Sequence, residues 1–263
     1  MRLDADLLRA LAGDAGLEPA AMIVQRLDVP AAAVSVDPDL PLYPASMMKV
    51  PLVAAALAEI AAGHLDSLES TVRIDAGNMT ANDAESPLVP GYAATLHELM
   101  QLAIARSDNV ATNVLFDVVG RERATAVARD RLGLKATAFY RKLSGSEPLI
   151  EDSGWDGVHR NAHPASDCAH LMRSIADNAI PHAGLLREML AAQVWNNKLS
   201  LGLLSWDRFA HKTGDTSEVT HDGGILETGE GKSYVIVVYT GLPSSDENNA
   251  RFAPLMQKVR ELL

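Results

Sequence analysis

Alternating apolar residues mark strands at both ends of this chain while the long middle keeps helical spacing, and no other feature restricts the fold as much. Residues 21–27 and 31–36 read as two strands about an Asp28-Val29-Pro30 turn, after an opening helix with Leu3, Leu7, Leu8 and Leu11 on one face. Strand patterns return at 205–211, 219–227 and 234–240, ahead of a closing amphipathic helix over 247–263. The spacing from 46 to 190 is helical almost throughout. Strands from the two ends are expected to pair into one antiparallel sheet. The expected class is α+β. Residues 1–45 and 191–263 form a sheet lobe flanked by terminal helices, residues 46–190 an inserted all-helical lobe, and the cleft between them the active site.

Composition narrows the partners. The chain has 263 residues, 48% of them hydrophobic, which suits one large domain or two small ones, and no apolar run approaches the roughly 18 residues of a membrane helix. Asp and Glu number 34 against 23 Lys and Arg, a net charge of -11, which disfavours nucleic acid and anionic lipid surfaces. The single cysteine, Cys168, excludes an intrachain disulfide and reads as a buried inert thiol on a helix beginning near Pro164. The first residues lack a basic start and a continuous apolar stretch, so the chain as written is expected in the cytoplasm, or in the periplasm or outside the cell if a leader has been removed.

Three short motifs carry the chemistry: Ser46-Met47-Met48-Lys49, Ser107-Asp108-Asn109 and Lys212-Thr213-Gly214. The first alone has a chance expectation of about 0.45, but all three in this order fall below about 0.001. Three residues along a helix return to the same face, so the Lys49 amine can reach the Ser46 hydroxyl. Serine is a weak nucleophile until a base takes its proton, and a lysine whose pKa is lowered by burial and nearby cations can serve. Pro51 fits near a helix start, which sets Ser46 at the positive end of the helix dipole. Without the other two motifs, Ser46 reads better as a helix N-cap and Lys49 as a solvated side chain. Ser107-Asp108-Asn109 lies between two helices, the first opened by a Thr95-Leu96-His97-Glu98 capping box; Ser107 can relay a proton to a leaving amine and the Asn109 amide can hold a substrate carbonyl. After the strand at Phe209-Ala210-His211, Lys212 can attract a carboxylate and Gly214 can let substrate approach the backbone; the bland alternative is a strand-ending turn.

This set of motifs resembles the class A β-lactamase family of penicillin-recognising serine enzymes, over nearly the whole chain. The resemblance implies an acyl-enzyme serine hydrolase with Ser46 as nucleophile, Lys49 as base or proton shuttle, Ser107 as relay, and Lys212 with Thr213 as carboxylate grip. It also implies an oxyanion hole from the backbone N–H groups of Ser46 and Asp215. The implied partner is a small carboxylate-bearing β-lactam or ester, the implied state a monomer, and no cofactor or metal is expected. His159 and His163 have a metal-ligand spacing, but Pro164 disfavours helix there and no third ligand is evident.

Class A enzymes also need a glutamate on the following loop to activate the deacylating water. Counting back from His163-Pro164 gives Glu147 in that position; counting forward without gaps from Gly133 gives Leu143. Ser144-Gly145-Ser146-Glu147 also fits a capping box. The family's carboxylate-binding arginine has no evident counterpart, and residues 220–224 offer His221 and Asp222 instead. The alternatives are a sister serine esterase or D-alanyl peptidase, favoured if Leu143 holds the glutamate position, and a non-catalytic penicilloyl-binding module.

Overall fold

The computed structural model describes residues 2–29 and 33–263. In chain order its elements are α1 (Ala5–Asp14), β1 (Ala20–Arg26), β2 (Ala33–Val36), α2 (Lys49–Ala61), β3 (Thr71–Arg73), β4 (Ala93–Thr95), α3 (Leu96–Ala105), α4 (Asn109–Val119), α5 (Arg121–Asp130), α6 (Ala165–Ala176), α7 (Ala183–Ala191), β5 (Arg208–Asp215), β6 (Thr220–Glu227), β7 (Ser233–Thr240), α8 (Asp246–Ala250) and α9 (Phe252–Leu262). The expected pairing of the chain ends is present: one five-stranded antiparallel sheet runs β2-β1-β7-β6-β5. Ala20 faces Thr240 and Arg26 faces Tyr234 across the junction of the two ends. Pro30 and residues 31–32 of the expected hairpin lie outside the described residues.

Alternation along the strands sorts the core into two layers. Ile23, Ile225, Val235, Val237 and Tyr239 join the helices between residues 49 and 190, while Met22, Val24, Ile236 and Val238 meet Leu8, Phe252, Leu255, Met256 and Val259 of the terminal helices. Both faces of the central strand β7 are therefore covered, which is why its sequence is an unbroken apolar run. Helix α2 is buried from Lys49 to Glu59, so its sequence shows apolar residues all round rather than one stripe.

Several boundaries differ from expectation. The middle segment is not all helical: β3 and β4 form a two-stranded ribbon, and residues 131–164 hold an isolated bridge between Ala138 and Ala162. Residues 205–207 are a turn, in which Asp207 caps the Leu204 N–H and pairs with Arg260, so β5 starts at Arg208 and continues through Lys212-Thr213-Gly214 instead of ending before them. Polar residues can stay in a strand here because helices cover this end of the sheet, and an apolar-alternation test cannot see that. The closing helix is broken at Arg251, three residues before Pro254, whose missing N–H cannot extend the α8 ladder. The Thr95 cap is present, accepting from the Glu98 N–H at 3.0 Å, and α6 begins after Pro164 with Cys168 buried. No helix among the described residues is long and apolar enough to cross a membrane.

Close strand pairing behind the Lys212 segment depends on Gly224, where a Cβ would lie 2.6 Å from His211 Cα. Gly224→Ala should cost about 1–3 kcal/mol through overpacking, read as a lower urea midpoint. Gly184, on α7, has open space at its Cβ position, so Gly184→Ala should be neutral or stabilise by up to about 1 kcal/mol. Equal loss in both variants would contradict this packing.

Candidate active site

Ser46 lies in a 3-10 turn, Ala45–Met48, that feeds directly into α2, so it precedes the α-helix instead of opening it. Two contacts fix this turn to the sheet. A Cβ at Gly214 would lie 3.1 Å from both Met47 Cγ and the Pro44 carbonyl oxygen, so glycine is needed for the turn itself to approach β5. His221 donates from Nε2 to the Tyr43 carbonyl at 2.8 Å and accepts the Thr240 N–H at Nδ1, 3.1 Å away. One ring nitrogen therefore donates and the other accepts, the pattern of a neutral imidazole, and burial pushes its pKa down to about 4.

Lys49 is completely buried. Its Nζ donates to the Ser107 carbonyl at 2.6 Å and to Asn109 Oδ1 at 2.8 Å, and lies 3.2 Å from Ser107 Oγ. Ser46 is not among these partners; the amine expected to reach Ser46 is bound to the second motif. Burial lowers the Lys49 pKa well below 10.5, the nearby Lys212 charge lowers it further, and Asp108 and Asp83 only partly oppose them. A neutral amine has two N–H groups for the two carbonyl oxygens and a lone pair left to accept a proton. Ser107 reaches this position through a left-handed backbone at φ 58°, and Asp108 caps α4 by accepting the Ala111 N–H at 2.8 Å. Asn109 is held on both sides, because one Nδ2 hydrogen goes to the Ala81 carbonyl at 2.9 Å, which leaves its second Nδ2 hydrogen without an acceptor among the described residues.

Lys212 is also fully buried and donates to the Thr213 carbonyl at 2.8 Å; burial lowers its pKa to about 7, with Asp215 raising it and Lys198 lowering it further. Lys198 carries no motif that would single it out in the sequence. It is sealed behind the end of β5, where its Nζ lies 2.7 and 2.8 Å from the two Asp215 oxygens and 2.9 Å from the His221 carbonyl. His221 and Asp222, considered in place of an arginine, are both turned inward: Asp222 bonds His211 Nδ1 at 2.7 Å and the Leu199 N–H at 3.1 Å. Ser200, His211 and Asp222 are linked in series, with His211 Nε2 3.2 Å from Ser200 Oγ and 3.0 Å from Asn196 Oδ1.

The loop after α5 brings both candidate positions to the same cavity of about 670 Å³, whose lining includes Ser46, Asn109, Leu143, Glu147 and Asp215. A smaller cavity of about 160 Å³ continues past Ser46 to Ser107, Thr213 and Asp215. Buried Asn113 grips Leu143 in both directions, donating to its carbonyl at 2.9 Å and accepting its N–H at 2.7 Å. Asn113 is another residue that the motifs do not reveal, although it is one helical turn after Asn109 and so shares its face. Gly145 closes the loop onto Ala81, donating its N–H to Thr80 Oγ1 at 2.8 Å. The expected capping box is not one: Ser144 Oγ accepts the Ile150 N–H at 2.9 Å across an irregular loop, and Glu147 is exposed at the cavity rim. His159 bonds Asp156 while His163 is buried against Thr137, so the two do not converge.

Comparison with known proteins gives the family and the fold. Residues 3–261 match the profile of the Beta-lactamase enzyme family. A β-lactamase from Bacteroides uniformis is 27% identical over 211 residues, 73% of this chain and 69% of that relative. An ancestral class A β-lactamase superposes with a TM-score of 0.82 at 23% identity, over 98% of this chain and 99% of the other. A PBP-A mutant, in an acyl-enzyme complex with penicillin G, superposes at 0.78 with 23% identity, over 98% and 94% of the two chains. The architecture is that of the class A β-lactamases. The chain belongs to the β-lactamase enzyme family.

The lowered Lys212 pKa has a stability consequence with a definite sign. Between about 7 and 10.5 the unfolded lysine binds a proton that the folded one does not, so this group's penalty on folding is full below pH 7 and fades toward pH 10.5. Lys212→Met should therefore melt above the wild type at pH 6, with the gap closing by pH 10. A gap independent of pH would contradict the buried-cation reading.

Proposed function

We propose that this protein is a serine acyl-transfer hydrolase that opens the amide of a β-lactam through an acyl-enzyme on Ser46, in a cleft between a sheet lobe, 1–45 and 191–263, and a helical lobe, 46–190. The observation that carries this reading is the buried Lys49 amine, bonded to Ser107 and Asn109 within one turn of Ser46. Lys49 takes the Ser46 proton as Oγ attacks the lactam carbonyl, and the backbone N–H groups of Ser46 and Asp215 hold the oxyanion. The C–N bond then breaks, and Ser107 passes the proton from Lys49 to the departing nitrogen. Asn109 orients the substrate amide, while Thr213 and Gly214, backed by the Lys212 charge, receive the carboxylate. Water then hydrolyses the Ser46 ester. On this reading Glu147 at the cavity rim is the base for that second step.

A second reading, a D-alanyl peptidase or esterase with slow release of penicillin, is supported by the Asn113 clasp. It fixes Leu143, not Glu147, directly beside the helix that carries Asn109. The PBP-A relative captured as a penicillin acyl-enzyme is consistent with a long-lived adduct.

Intact-mass analysis tests both. Benzylpenicillin or a fluorophosphonate should add one adduct to the wild type and none to Ser46→Ala; undiminished labelling of Ser46→Ala would remove Ser46 from the mechanism. If Glu147 drives deacylation, Glu147→Gln should still acylate but keep the adduct, whereas Glu151→Gln should turn over like the wild type. A wild-type adduct that already persists, and that Leu143→Glu shortens, would instead select the second reading.

A further inference from the structure

At the end of β5 the protein places a carboxylate of its own where the cleft meets two sealed cations. Lys198 and Lys212 are both fully buried, yet only Lys198 has a carboxylate within hydrogen-bond distance, that of Asp215. Asp215 faces both ways: its side chain is 31% exposed and lines both cavities beside Ser46, while its oxygens accept from Lys198 on the inner side. Ser244 Oγ at 2.6 Å and Thr220 Oγ1 at 3.0 Å hold the same carboxylate oxygen. Three donor contacts from Lys198 and Ser244, with the Thr220 hydroxyl shared between Asp215 and Asn249 Oδ1, fix one carboxylate at the cleft wall, so it is a built position and not a mobile surface charge. The other charges near this end include Lys212, Asp83 and Asp222, and Arg141, Lys142, Arg160, Glu147 and Glu218 line the larger cavity together with Asp215.

We infer that Asp215 is a specificity-determining residue, an internal carboxylate that masks Lys198 and so sets how strongly the cleft attracts substrate carboxylates. With Asp215 in place, Lys198 contributes no net charge to an incoming anion. Without that negative charge, and at a pH low enough for both amines to keep their protons, Lys198 adds to Lys212 as a second cation behind Thr213; the test is run at pH 6 because Asp215 also raises the pKa of both lysines. In the intact protein the balance favours ligands that carry no more than one carboxylate or that offer an N–H donor to Asp215. This deepens the acyl-transfer reading above and rests on it for the identity of the substrate, though the masking itself concerns anion binding alone.

The test compares benzylpenicillin with its neutral methyl ester at pH 6, as acylation rate constants from intact mass, in wild type, Asp215→Asn, Lys198→Met and the double variant. Asparagine keeps the shape and an oxygen acceptor while removing the charge. Asp215→Asn should raise the acid-to-ester ratio about tenfold, about 1.4 kcal/mol. Lys198→Met should lower it below wild type, and the double variant should return to near the wild-type ratio. An unchanged ratio in Asp215→Asn, or a double variant that keeps the Asp215→Asn ratio, would overturn masking; the latter would reduce Asp215 to simple repulsion. If Asp215→Asn does not fold, the predicted drop in Lys198→Met decides the matter. Calorimetric binding of phenylacetylglycine, a carboxylate that cannot acylate serine, should follow the same order of affinities. If no form is labelled yet that order holds, the acyl-enzyme reading fails and the masking stands. If the protein is labelled but that order is absent, the masking fails and the acyl-enzyme reading stands.

Discussion

Removing the Lys49 amine from water without a carboxylate partner is the constraint on which the site depends. Three contacts replace its hydration, and all come from Ser107 and Asn109. The left-handed turn at Ser107 and the start of α4 are thereby tied to the start of α2, across 58 and 60 residues of chain. An ammonium buried with no carboxylate beside it is costly even when hydrogen-bonded, and that cost favours release of its proton. Burial first, and the nearby Lys212 charge second, both push the Lys49 pKa well below 10.5, toward release of the proton. The same desolvation that makes Lys49 expensive to bury makes it able to accept a proton.

The sheet supplies the other half. Gly214 lets β5 press against the Ser46 turn, and neutral His221 ties the preceding Tyr43 carbonyl to β6. Both contacts hold the turn that carries Ser46 against the sheet. Protonating His221 would break its acceptor contact with the Thr240 N–H, and burial holds that event near pH 4. The position of Ser46 is thus insulated from neutral-range pH, and the titration of Lys49 and Lys212 is left to set the response of the site.

What is legible in the sequence is local. Helical spacing relates Ser46 to Lys49, a tight turn relates Ser107 to Asn109, and apolar alternation finds β6, β7 and most of β1, because each is written in neighbouring residues. The extent of β5 is not legible, since Lys212, Thr213 and Asp215 are polar and buried by elements far away in sequence. The Asn113 grip on Leu143 spans 30 residues and the Lys198 pair with Asp215 spans 17, with no periodic pattern linking either set. Two counting registers through the loop compete on equal terms, because its path depends in part on Asn113, Thr80 and Ala81, which are distant in sequence. The ribbon of β3 and β4 escapes detection because three-residue strands carry too little alternation to be distinguished from helix.

The most direct test of the central claim is the protonation state of Lys49 itself. In protein labelled with 13C and 15N at lysine, the Lys49 signals, assigned through Lys49→Arg, should titrate far below the ordinary lysine value of 10.5. In Lys212→Met, where the neighbouring charge is gone, the inflection should rise. A Lys49 that stays protonated across pH 6 to 10 in both forms would contradict the neutral-amine account of the site.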